Sequence, residues 1–165
     1  MESLARAVIQ EAQTRFTHLP AQVRACLDEL SEEQLWWRPN PTSNSVANLV
    51  LHVVGSTHHF LGRAVGGSDY RRHRKAEFTE AGPLPKAELL RRLDACVAES
   101  RSVLAALDPA RLTEVSDRGG EPQTLLALIL RTTHHWAVHT GQIVYVTKSL
   151  REGSLDELWI KTLPR

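Results

Sequence analysis

The sequence predicts an all-α protein, most simply a four-helix bundle formed as a single domain over residues 1–165. Apolar residues recur at intervals of three and four over long stretches, which is typical of helices that bury one face. Joints that contain proline or glycine separate four such stretches. No segment alternates apolar and polar residues between turn residues, so we expect no paired strands.

The first helix is predicted over residues 3–30, where Leu and Val positions form one apolar stripe. Pro20 lies inside this pattern, and because proline removes a backbone hydrogen bond we expect a kink or break near His18. The stretch at 38–44, Arg-Pro-Asn-Pro-Thr-Ser-Asn, is a strong helix breaker. It therefore separates the first helix from the second.

The second helix is predicted to begin after an N-cap at Asn44 or Ser45, since both residue types accept hydrogen bonds from a first helical turn. It ends before the linker 66–83, which opens with two glycines and is long enough for a crossover. The third helix is predicted over residues 85–107, with a proline in its first turn. Together with the fourth, these helices suggest an up-and-down bundle.

The fourth helix, predicted from about Pro122 to Leu150 as the longest uninterrupted element, carries the residues most informative for function. A seam of residues at heptad spacing runs along this helix, and a bundle is expected to bury such a seam. An inward-facing imidazole without a partner is costly, so histidines in this seam point to a bound ligand. The seam consists of Leu125, Leu128, Thr132, His135, His139, Gln142, Val146 and Ser149.

Histidine spacing predicts a metal site. His135 and His139 are four residues apart, about 40° around the helix, and can reach one ion. His134 lies about 140° from His139, so we expect it to face solvent or a neighbouring helix. His52, which interrupts an apolar stretch of the second helix, is the expected third ligand. His59 lies roughly 10 Å further along that helix, too far to share the ion, and is expected to line the pocket or support a ligand.

Three neutral imidazoles leave an ion with open positions, as in catalytic rather than structural sites. Imidazole binds zinc, nickel, copper and iron, and we expect a divalent zinc, nickel or iron ion. Trp136 stands where a His-Glu-x-x-His peptidase would need its glutamate, which argues against peptidase chemistry. We also expect no catalytic carboxylate pair near the histidines.

Gly55 and Gly141 each lower helix propensity by about 1 kcal/mol. Such a cost indicates either that another helix approaches closely at these positions or that they leave room for a ligand.

Composition excludes several other functions. Lys and Arg number 20 against 19 Asp and Glu, which argues against a nucleic-acid-binding surface. No apolar run approaches the roughly 18 residues needed to span a membrane, and the N-terminus does not resemble a signal peptide. Cys26 and Cys96 are expected to be buried free thiols, consistent with a cytoplasmic protein. The basic run 71–75 is either a solvated loop or a site that captures a carboxylate.

The sequence resembles the DinB-like superfamily, and nearly the whole chain carries the resemblance. The residues that carry it are His52, His135 and His139, the tail His-Thr-Gly-Gln at 139–142, and the segments at 30–39, 45–52 and 74–78. The resemblance implies a four-helix bundle with one metal-ligating histidine on the second helix and two on the fourth. Some members are metal-dependent transferases or isomerases that use mycothiol, bacillithiol or glutathione, and members are often homodimers. The family name does not imply DNA binding.

We therefore expect a metal-dependent enzyme that activates a low-molecular-weight thiol and transfers it to a small-molecule substrate. Two alternatives stay open: a hydrolase in which the same ion activates water, and a non-catalytic stress-response scaffold or ligand binder. His59, Gln142 and Tyr145 are candidates for orienting the second reactant, and the sequence does not rank them. A homodimer is the expected assembly, with no nucleic-acid or membrane partner.

Overall fold

The computed structural model describes residues 2–80 and 84–151, and the all-α prediction is confirmed. The four long helices are α1 (Glu2–Glu29), α3 (Val46–Thr57, continuing as a π-helix over His58–Val65), α5 (Lys86–Ala106) and α6 (Leu125–Leu150). The first helix has 28 residues and the last 26, so the expectation that the last is the longest was wrong.

Short elements fill the joints between these helices. They are α2 (Glu32–Trp36), α4 (Arg74–Thr79), a 3-10 turn (Pro109–Thr113), β1 (Val115–Ser116) and β2 (Gln123–Thr124). The helix α4 lies in the long linker between α3 and α5, where it packs against α3. No helix among the described residues is long and apolar enough to cross a membrane.

Side-chain caps fix where the helices begin. Ser45, and not Asn44, is the N-cap of α3: its hydroxyl accepts a hydrogen bond from the backbone N–H of Asn48 at 3.1 Å. Thr124 caps α6 in the same way, accepting from the N–H of Ala127 at 3.2 Å. Each cap satisfies a donor that the first helical turn leaves without a partner.

Of the predicted kink or break in the first helix, the break is wrong, because α1 stays helical across Pro20. Apolar residues on both sides of the proline are buried, including Phe16, Val23 and Leu27. Burying such side chains stabilises by about 1.5–3 kcal/mol each, which outweighs the roughly 3 kcal/mol penalty of an internal proline. Packing against α5 and α6 therefore keeps the helix continuous.

The expectation of no paired strands is also wrong, although only for four residues. Val115 pairs with Thr124 and Ser116 with Gln123 in an antiparallel ladder. Two-residue strands are too short for an alternating pattern to register in the sequence. The loop between them places Gly119 against the side chains of Phe60 and Leu128, so it packs against the π-helix and the first turn of α6.

The predicted seam of α6 is out of phase in its second half. The buried residues are Leu125, Leu128, Ile129, Thr132, Trp136, Thr140, Ile143 and Thr147. From residue 135 onward the buried position is therefore one residue later than predicted. The indole of Trp136 takes the core, where its Nε1–H donates to Thr57 Oγ1 at 2.8 Å. His135 and His139 are half-buried on the flank of this core, and Gln142 is exposed.

Both cysteines are free and buried, as predicted. Burial raises the pKa of Cys96 to about 12 and also raises that of Cys26, where a hydrogen bond with Thr147 opposes it. Because the thiolate is the reactive form, we expect neither thiol to react with a disulfide reagent such as DTNB at pH 8 until the chain is unfolded. Labelling of the native protein at the rate of free cysteine would contradict this burial.

Candidate metal centre

Three imidazoles from two helices meet at one point. Nε2 of His135 lies 3.0 Å from Nε2 of His52 on α3 and 3.0 Å from Nε2 of His139. The ring nitrogens that the three residues offer all lie within 4.8 Å of one another. His134, the neighbour on α6, is exposed. The helical phase thus groups the histidines that the sequence predicted, although they lie beside the core seam and not within it.

The outer ring nitrogens determine which atoms face the centre. Nδ1 of His52 lies 2.9 Å from Glu77 Oε2, and Nδ1 of His139 lies 2.7 Å from Gln142 Oε1. Because both oxygens accept, each Nδ1 carries the proton and each Nε2 presents a lone pair inward. Nδ1 of His135 is buried without a hydrogen-bond partner among the described residues.

The electrostatics of the site favour neutral imidazoles. The pKa of His135 is lowered to about 3, chiefly by burial, with the neighbouring His139 and His52 contributing to the shift. Burial also lowers the pKa of His139, with His52 adding to the shift and the hydrogen bond with Gln142 opposing it. A metal binds the deprotonated ring. Lone pairs that converge in this way fit a divalent ion that accepts nitrogen ligands, such as zinc, nickel or iron.

One buried carboxylate, that of Glu77 on α4, supports His52. Glu77 is 7% exposed and accepts hydrogen bonds from Arg72 at both oxygens, Nε to Oε1 at 2.7 Å and Nη2 to Oε2 at 2.8 Å. Burial raises the pKa of Glu77, but the hydrogen bonds from His52 and Arg72 outweigh it, so the pKa lies below its usual value. Arg72 belongs to the basic run 71–75, which is therefore not simply a solvated loop.

Asn48, one helical turn before His52, holds α4 and its glutamate in place. Its Nδ2 donates to the backbone carbonyls of Glu77 at 3.1 Å and Glu80 at 2.9 Å. Its Oδ1 accepts from Ser45 Oγ at 2.7 Å and from an arginine of the proline-rich joint at 2.8 Å. All the hydrogen-bonding groups of this buried amide are thereby used. The polar line seen on the second helix thus has a structural role at Asn48.

The two glycines near the histidines have different surroundings. A Cβ on Gly55 would overlap the carboxylate of Glu77, whereas a Cβ on Gly141 would meet nothing within 4 Å. We expect Gly141→Ala to stabilise the protein by up to about 1 kcal/mol through helix propensity. Gly55→Ala gains the same propensity but should destabilise, because the carboxylate must leave His52 and Arg72. Urea unfolding of both variants in chelator measures the difference, and equal stabilisation would contradict the close contact.

The other residues predicted for the site differ in how close they lie to the three histidines. His59 is outside the trio: its Nε2 lies 3.3 Å from the carbonyl of Gly119, and its Nδ1 is buried without a partner among the described residues. Gln142 contacts the centre indirectly through His139. Tyr145 is 74% exposed on α6. Arg72 and Glu77 were missed as functional residues, since their contact with His52 crosses 20 and 25 positions of the chain.

The helical bundle and its trio of histidines define a class of protein with a prepared nitrogen-ligand site between two helices. The sequence profile of the DinB superfamily matches residues 15–143, a range that includes all three histidines. The chain belongs to the DinB superfamily. No curated protein matches the sequence significantly.

Solved structures share the fold. A DinB-like protein of Bacillus cereus ATCC 10987 is 17% identical with a TM-score of 0.65, over 81% of this chain and 87% of that one. A DinB-like protein of Bacillus subtilis is 20% identical with a TM-score of 0.65, over 86% and 93%. A conserved protein of Enterococcus faecalis is 18% identical with a TM-score of 0.61, over 90% and 95%. At these identities the likeness concerns the fold alone.

Proposed function

We propose that this protein is a metal-dependent enzyme that transfers a low-molecular-weight thiol to a small electrophilic substrate. The observation that carries the proposal is the convergence of His52, His135 and His139, which form the one metal-competent group of His, Cys, Asp or Glu among the described residues. Three ligands leave room for a reactant at the ion. When bound, a divalent ion supplies Lewis-acid chemistry that lowers the pKa of a thiol or of water.

The surrounding residues orient the ligands. Glu77 fixes the ring of His52 and, being ionised, increases its basicity as a ligand. Gln142 does the same for His139 without a charge. The ring of Phe78 lies 4.7 Å from that of His52, which shields this side of the site from water.

Thiol transfer is favoured over hydrolysis by the position of the carboxylate. A metal-dependent hydrolase commonly uses a free carboxylate as general base toward water. Both oxygens of Glu77 are occupied by Arg72, and one of them also by His52. A thiol needs no such base once its pKa is lowered, since the thiolate is itself the nucleophile. The resemblance to thiol-using members supports the same choice.

The test begins with protein purified without a histidine tag. Its metal content is measured, and the metal-loaded protein is given a thiol and an electrophile such as 1-chloro-2,4-dinitrobenzene. Saturable, thiol-dependent loss of the electrophile that disappears in His139→Ala supports the transferase. Turnover of an ester in thiol-free buffer would select the hydrolase. Neither activity, with a dimer that loses stability on chelation, would select the non-catalytic scaffold.

We also propose that the protein is a cytoplasmic homodimer. The cytoplasm keeps small thiols reduced, and both cysteines of the chain are free. Leu130 (53% exposed), Val138 (44%) and Tyr145 (74%) lie within about 80° of one another around α6 and offer an apolar face. Light scattering should give a mass of twice 18.5 kDa. The variant Val138→Lys should reduce it to that of a monomer, and a monomeric wild type would contradict the assembly.

A further inference from the structure

We propose that the metal centre accepts a reactant with an anionic oxygen group, a carboxylate or a phosphate, and that Arg131 binds this group. The inference deepens the proposed function and rests on it. Arg131 lies on α6 four residues before His135, and residues at this spacing share one face of a helix. Its side chain is therefore on the face that carries His135 and His139.

Arg131 is held by an aromatic ring and has unused donors. Its guanidinium carbon lies 4.2 Å from the centroid of the Phe60 ring, which is on the π-helix that continues α3. Stacking uses the flat face of the guanidinium and leaves the N–H groups at its edge free to donate. Within residues 2–80 and 84–151, no acceptor takes a hydrogen bond or ion pair from it. A planar fork of this kind matches a carboxylate or phosphate.

Two neighbouring arginines do not share this property. Arg72 is neutralised by Glu77. Arg63 donates to the backbone carbonyls of Arg118 at 3.2 Å and Tyr70 at 3.1 Å. Of these three arginines, Arg131 is therefore the one whose N–H donors are not engaged by an acceptor.

The charges of all three arginines act on one imidazole, that of His59. Burial lowers the pKa of His59, and the charges of Arg72, Arg63 and Arg131 lower it further, although a hydrogen bond with Gly119 opposes the shift. A neutral His59 adds no charge of its own. The positive field of Arg131 therefore adds to that of a bound dication, and together they attract an anion.

Helix geometry limits the size of the reactant. One turn of α6, roughly 6 Å along the axis, separates the backbone of Arg131 from that of His135, and the guanidinium lies over Phe60, eight residues after His52. The anionic group should therefore stand a few bonds from the atom that reacts at the ion. A short thiol with a carboxylate or phosphonate at its other end has this length.

The test compares three thiols of similar length on the full-length protein loaded with Co²⁺. They are 3-mercaptopropionate, 2-mercaptoethylphosphonate and the neutral 3-mercaptopropionamide, and calorimetry gives each dissociation constant. In the wild type, a charged thiol should bind about tenfold or more tightly than the amide, as expected for charge-assisted hydrogen bonds. The charged thiol with the larger advantage identifies the carboxylate or the phosphate as the preferred group.

Two variants assign the effect to Arg131. Arg131→Gln should remove the preference for charged thiols and leave the affinity for the amide unchanged. The control is Arg101→Gln, because Arg101 is also exposed but lies on α5, which contributes no residue to the metal centre. It should keep the preference. Equal losses in both variants would show a general charge effect and overturn the proposal, as would an unchanged preference in Arg131→Gln.

The cobalt absorption spectrum separates this inference from the proposed function. If the wild type does not bind Co²⁺, the metal centre is wrong and the inference falls with it. If Co²⁺ binds and charged and neutral thiols have equal affinities, only the inference is overturned. Arg131 is exposed, so Arg131→Gln should fold and bind Co²⁺ normally, which the same spectrum and circular dichroism establish.

Discussion

Replacing His135 with alanine is expected to abolish metal binding, whereas replacing His134 with alanine should leave it unchanged. Nε2 of His135 stands 3.0 Å from both other Nε2 atoms, so its removal opens the middle of the site. Loss of a residue that only supports a ligand typically lowers metal affinity 10–100-fold. Loss of the ligand itself should therefore lower metal affinity by more than about 100-fold.

The adjacent variants form a matched pair, since both remove one imidazole from the same turn of α6. Circular dichroism should show the wild-type helix content in each, because the core of α6 is formed by Trp136 and its apolar neighbours. A saturating ion should raise the melting temperature of the wild type and of His134→Ala by mass action, and not that of His135→Ala. A shift in His135→Ala equal to that of the wild type would show that the ion binds elsewhere. Complete loss of helix on chelation would make the metal structural.

The second large effect is expected at Glu77. Glu77→Gln keeps the shape of the side chain but removes the charge that pairs with Arg72, whose side chain is 12% exposed, and that orients His52. Metal affinity should fall 10–100-fold, and breaking the buried ion pair should destabilise the fold by about 3 kcal/mol. The control is Glu88→Gln, because Glu88 also accepts from two arginines, Arg91 and Arg92, but at the surface. It should leave metal affinity unchanged and destabilise the fold much less than Glu77→Gln does, because surface ion pairs contribute little to stability.

The same variant has a pH signature. The pKa of Glu77 lies below its usual value, so the ionised carboxylate stabilises the fold above pH of about 4.3. That contribution is lost as the pH falls through the lowered pKa. Melting temperatures of the metal-free protein between pH 3 and 7 should therefore drop less steeply in Glu77→Gln than in the wild type. Parallel curves would mean that Glu77 does not titrate with folding.

The pairing of His135 with His139 could be predicted because it depends on local geometry. The interval from His135 to His139 fixes their angle around α6 whatever packs against it, and it also excludes His134. How deeply His135 and His139 are buried could not be predicted from their spacing alone. A large indole at residue 136 competes with imidazole for the core, and the helix turns so that Trp136 is buried.

The residues that support the histidine trio, Glu77 and Arg72, could not be predicted, because their role depends on contacts between distant parts of the chain. Glu77 reaches His52 from a linker whose path the sequence does not specify, and only the glycine at 55 indicated that something approaches α3 closely. The π-helix at His58–Val65 was likewise missed. Its side-chain pattern differs little from that of an α-helix over so few residues.

The position of α4 links ion binding to local opening of the chain. A helix of six residues does not persist in water alone, so α4 stays closed through its contacts with Asn48 and His52. When it opens, Glu77 leaves His52, and affinity for the ion falls. Because coupling between two equilibria is reciprocal, a bound ion must shift the equilibrium between open and closed α4 toward the closed state by the same factor. A 10–100-fold effect corresponds to about 1.4–2.7 kcal/mol of opening free energy, so amide hydrogen exchange in residues 74–79 reports whether the site is filled.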